Sequence, residues 1–193
     1  MTENNTFLPS NYKVPTSGGN YMRLKQDENP FRILSSAITG FEYWNTDNKP
    51  VRSPDPITEV PHDIKKDKDG KPTAIKHFWA FVVWNYADEA VQILEITQKS
   101  ILKGMKAYID NKKWGDPKGY DFVVTRTGEG MDTEYSVISE PKSETEEKVI
   151  KAYEAKNINL KALYKGEDPF AGGNSKELDE TYPDSVDADS IPF

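Results

Sequence analysis

Residues 76–97, "KHFWAFVVWNYADEAVQILEIT", constrain the architecture of this chain more than any other stretch. Two runs rich in aromatic and β-branched residues, 77–86 and 91–97, flank a polar turn at 87–90, and that pattern specifies a β-hairpin. Alternation along the first run puts Phe78, Ala80, Val82, Trp84 and Tyr86 on one face and His77, Trp79, Phe81, Val83 and Asn85 on the other. Both faces carry large rings. Any single ring is best read as core, because buried aromatics supply much of a small core's free energy. One small barrel does not easily take in both sets, so some rings should line a surface.

The remaining segments fit around this hairpin. Residues 1–20 are polar and read as a loose arm. Residues 21–44 have strand character punctuated by Pro30 and Gly40. Residues 45–72 hold five prolines and many charges, and read as a long loop. Apolar Ile101, Met105 and Tyr108, with Leu102 and Ile109, recur at helical spacing after a capping Thr97, and Gly115 is placed to end that helix. A second hairpin, 119–139, turns at Gly128-Glu129-Gly130, where glycine supplies positive φ. Ser143 and Glu146 form a capping box for a short second helix. Beyond Gly166 the composition is too poor in apolar residues to order itself. The expected fold is mainly β with short helices: an OB-type five-stranded Greek-key barrel over 21–165. A flexible arm (1–20) precedes it and a disordered acidic tail (166–193) follows.

Charge follows the same division. The chain has net charge −7. From Glu167 onward there are eight acids and one base, which is the whole −7, and the body balances 24 acids against 24 bases. A neutral body with an acidic tail is compatible with an anionic partner where mean charge alone would argue against one.

Several chemistries lack their residues. The chain has no cysteine, so disulfides and thiolate metal sites are excluded. Neither G-x-x-x-x-G-K-[ST] nor G-x-G-x-x-G occurs. His62 and His77 are the only histidines and are not spaced as ligands. Read as a calcium loop, "DIKKDKDGK" would put Lys65 and Lys76 where anionic ligands are needed. No cofactor and no metal are expected. There is no signal-peptide pattern at the start and no apolar run of membrane-spanning length, so a cytosolic protein is the expectation.

What remains is rings and bases on strands, the pattern of single-strand binding, in which bases stack on rings while cations hold phosphates. The candidate contacts are Arg23, Lys25, Arg32, Tyr43, Trp44, Arg52, Lys76, Trp84, Tyr86, Tyr120 and Arg126. Arg32, Arg52 and Arg126 rank first among the bases because they lie in or beside strands. Trp84 and Tyr86 are expected to face the nucleotide. At the other end of the chain, "DSVDADSIPF" closes an acidic run with an apolar tip. A solubilising brush explains Asp184, Asp187 and Asp189 but not Ile191, Pro192 and Phe193. A last ring with the terminal carboxylate suits capture in a partner's pocket.

The tip "DADSIPF" resembles the C-terminal tip of bacterial single-stranded DNA-binding proteins. The body resembles a family of bacteriophage single-stranded DNA-binding proteins through "YMRLKQDENPFRILSSAITGFEYW", "FWAFVVWNY", "VQILEITQKSI" and "WGDPKGYDFVVTRTGEGMDTEYSV". The resemblance implies an OB fold, no catalysis, and a tail that recruits replication or recombination enzymes in the cytoplasm of an infected bacterial host. Phage relatives can carry a structural zinc, for which this chain lacks ligands. On the residues alone two other classes stay open: an OB-like adaptor for a protein or oligosaccharide, and a metal-dependent nuclease.

Overall fold

The computed structural model describes residues 19–171. The hairpin that dominates the sequence is its centre: β4 (Lys76–Asn85) pairs antiparallel with β5 (Ala90–Ile96). At ten residues β4 is long enough to serve two partners on its other edge. β2 (Ile38–Trp44) pairs with its first half, Lys76 to Ala80, and β1 (Asp27–Ile33) with its second, Val83 to Asn85. Between them Leu34 N–H donates to the Val82 carbonyl and Val82 N–H donates to Ser35 Oγ, each at 2.9 Å. One serine side chain thus carries the ladder across the break between β1 and β2.

The sheet extends both ways from this splice. β3 (Pro50–Ser53) adds to β2; β6 (Asp121–Thr127) adds to β1 and continues into β7 (Glu134–Ser139). Seven strands are present among the described residues, against an expected five. The extra pair arises because 21–44 is two strands, and because β3 lies in what reads as a loop. The strand path is β3-β2-β4-β1-β6-β7 with β5 on the far side of β4, and no pairing among the described residues closes it into a barrel. The free edge of β5 is instead taken by the incoming chain. Met22 N–H donates to Ile93 O and Ile93 N–H to Asn20 O, both at 2.9 Å.

The two ring-bearing faces of β4 are resolved by two cores. Phe81 and Val83 join Phe31, Phe122, Leu94 and Ile96 under α1 (Lys99–Ile109), which contributes Ile101 and Met105. Phe78, Ala80, Val82 and Trp84 form a second core with Val149 of α2 (Glu147–Glu154) and with Leu160 and Leu163 of the 3-10 turn Leu160–Lys165. Burying each large side chain stabilises by roughly 1.5–3 kcal/mol. The second core is the answer to the excess of rings: most of them are covered rather than displayed.

The helix ends differ from expectation. α1 starts after Gln98 rather than Thr97, with no side-chain cap bond, and its cap at the other end is Asp110; Gly115, at φ 69°, terminates the turn beyond it. α2 starts after Glu146, without a capping box, because Ser143 is engaged elsewhere. Residues 166–171, assigned from composition to the tail, pack on the body. Asn159 N–H donates to Pro169 O at 2.8 Å, and the Phe170 ring meets Tyr21 edge-on at 6.3 Å.

Candidate nucleic-acid interface

Among the described residues, the first half of β4 keeps one face partly exposed. There the register places His77 opposite Phe41, and Trp79 opposite Thr39 and Ile96. Phe41, His77 and Trp79 are all partly exposed. The Phe41 and His77 rings lie 5.2 Å apart, and the Trp79 indole N–H donates to His77 Nε2 at 3.2 Å. Burial lowers the His77 pKa, with the backbone of Gly40 acting the other way, so a neutral imidazole accepts that bond near pH 7. The result is a short row of rings held in place by one another and by Trp79 packing on the first core. Such a row is a ready stacking surface for unpaired bases. Residue types alone did not single out Phe41, His77 and Trp79; the signal that could have found them is the 147–170 segment, whose apolar side chains cover the opposite face.

The expected contact residues scatter. Trp84 is 6% exposed and lies in the second core, which corrects the expectation that it faces a nucleotide. Tyr120 is fully buried against Phe122 and Trp114. Tyr43 is buried, and its hydroxyl donates to Asp63 at 2.9 Å. Tyr86 is half-buried and donates to both Asp121 oxygens, at 3.0 and 3.1 Å. Burial and the Asp121 charge push its pKa up to about 12.

Arg32 is 2% exposed. Its Nε pairs with Asp121, and its Nη groups donate to Ser143 O and Oγ and to Thr145 Oγ1. Burial works against its charge, but Asp121 and Tyr86 together outweigh burial and the pKa is raised. Arg32 is therefore a clip holding the β7–α2 connection to β1, and its burial keeps it from a phosphate in solvent.

Arg52 is spent as well. Its guanidinium meets Glu95 at 2.7 Å and Glu42 at 3.4 Å and lies over the Phe78 ring. One cation between two carboxylates leaves the cluster an acid in excess. Burial first, then hydrogen bonding and repulsion from Glu95, raise the Glu42 pKa to about 7, with Arg52 and Lys76 pulling it down.

Five of the expected cations and rings are accessible, Arg126 only in part. Trp44 is 46% exposed, on the same sheet face as exposed Lys76. Lys25 is exposed and pairs with Asp88 at 3.2 Å. Arg23 is exposed and Arg126 partly so, and both line one groove. The tail residues Asp184, Asp187, Asp189, Ile191, Pro192 and Phe193 lie outside the described residues. Among the described residues no three His, Asp or Glu side chains converge as a metal site requires, and no helix is long and apolar enough to cross a membrane.

The described residues thus form a mainly β body with short helices and a row of partly exposed rings on one sheet face. Over 149 residues the chain is 25% identical to a protein of Escherichia phage T5 named "Probable ssDNA-binding protein". That alignment takes in 63% of this chain, and the chain spans 57% of the relative's length. No family model matches the chain, and no solved structure does.

Proposed function

We propose that this chain is a phage single-stranded DNA-binding protein, non-catalytic, that coats unpaired strands without sequence preference. The observation that carries the reading is the Phe41–His77–Trp79 row: three partly exposed rings on one strand pair. Bases stack on such a row through faces that all bases share, which gives affinity without sequence choice. The name of the phage relative supports the same reading. Within it, the sheet is a variant of the OB type, in which β4 coils by serving β2 and β1 in turn. The protein acts in replication, recombination or repair in the cytoplasm of the infected host, and the 184–193 stretch docks partner enzymes through Ile191, Pro192 and Phe193.

Titration with oligo-dT and with duplex of equal length, followed by tryptophan fluorescence, tests this. Quenching by the single strand and little response to the duplex is expected, with no cleavage on adding magnesium. Equal response to both, or none to either, would overturn the reading.

A further inference from the structure

The chain has four arginines, and the structure divides them. Arg32 and Arg52 are bound to carboxylates. Arg23 and Arg126 make no ion pair with any described residue, yet both line one groove of about 350 Å³. The groove forms where residues 22–24, leaving the edge of β5, meet the turn end of the β6–β7 hairpin.

Arg126 stands opposite Tyr135 in the hairpin register, and both line the groove. Arg126 Nη1 reaches the Leu24 carbonyl at 3.3 Å, while its Nε is buried with no hydrogen-bond partner. A buried cationic donor without a partner is costly, and an anion in the groove would relieve that cost. Glu95 is also on the wall, but its two oxygens lie 2.9 and 2.7 Å from Arg52 Nη2, so its carboxylate is held to Arg52. Gln98 completes the wall; its side-chain oxygen accepts from Thr97 N–H at 3.2 Å, so what it offers is its amide hydrogens.

We infer that this groove holds a phosphodiester of the bound strand. Arg23 and Arg126 supply charge-assisted hydrogen bonds, and Tyr135 offers its ring to the adjoining sugar or base. The inference rests on the single-stranded DNA reading. It favours a nucleic acid over an acidic peptide because a ring accompanies the two cations, and because groove and ring row lie on one side of the sheet. Leu24 and Tyr135 pack on the same core cluster as Trp79, and Gln98 follows Ile96, the register partner of Trp79, by two residues. A strand stacked on the row therefore continues into the groove.

The test is the salt dependence of oligo-dT binding by the full chain, for wild type, Arg23→Gln, Arg126→Gln and the control Lys161→Gln. Lys161 is exposed on the 3-10 turn that covers the opposite core. Each arginine substitution should weaken binding several-fold at low salt and lower the slope of log K against log salt by about 0.7; the control should do neither. Thermal melting checks folding, and Arg23→Gln, an exposed change, gives a valid reading even if Arg126→Gln melts early. If wild type binds and both arginine variants keep its slope and affinity, the groove assignment fails and the DNA reading survives. Tighter binding by the arginine variants would mean that the groove holds an acidic peptide instead, and would also overturn the assignment. If wild type does not bind oligo-dT, the functional reading itself fails.

Discussion

Glu42 is 6% exposed and shares Arg52 with Glu95, so its carboxyl ionises only near pH 7 instead of near 4.5. A folded-state pKa above the unfolded value means that the native state holds the proton more tightly. That contribution to stability is complete below about pH 4.5 and is lost as pH rises through about 7. Denaturant midpoints of wild type and Glu42→Gln between pH 5 and 8 should therefore diverge, with the variant gaining on wild type as pH rises; parallel curves would contradict the assignment. The charges facing this carboxyl come from three strands, Arg52 on β3, Lys76 on β4 and Glu95 on β5, and no local pattern announces that meeting. The same holds for Arg32. A basic residue in a strand reads alike whether it faces solvent or an aspartate 89 residues away, and here it faces the aspartate. Residue type and strand parity were legible; the partner on each face was not.

At the scale of elements, both hairpins and the first helix were legible because their periodicity is strong and their turns are local. The punctuation at Pro30 and Gly40 misled, since each lies inside a strand. Pro30 is tolerated because its carbonyl, and with it the missing N–H, faces the end of β4, where Tyr86 N–H donates to it at 3.4 Å. Gly40 is required for another reason: a Cβ there would collide with the Ser53 carbonyl and press on the Phe78 ring. β3 can pair with β2 only if position 40 has no side chain. Gly40→Ala should thus destabilise by about 1–3 kcal/mol, as overpacking does. Hydrogen exchange should report faster opening of β3 than of the β6–β7 hairpin, and a wild-type melting point would contradict this account of β3.

The whole molecule joins its described ends: Tyr21, just inside the start, meets Phe170, just before the end, and Arg23 of the groove lies two residues from Tyr21. A tail of 193 − 171 = 22 residues leaving from there has a reach of up to roughly 70 Å when extended, ample for its acids to compete with DNA at high effective concentration. Removing residues 172–193 should raise oligo-dT affinity, most at low salt, whereas Phe193→Ala should leave it unchanged; equal affinities for truncated and full chains would remove the competition. The larger claim is that both faces of β4 are buried along its second half, and that only His77 and Trp79 in its first half work on a ligand. Measuring the stability and the oligo-dT affinity of Trp79→Ala beside Trp84→Ala tests it most directly. Trp84→Ala should lose about 3–5 kcal/mol of stability while its folded fraction binds as wild type, and Trp79→Ala should lose about 1–3 kcal/mol of binding per stacked base. A Trp79→Ala chain that binds like wild type, beside a folded Trp84→Ala chain that does not, would contradict it.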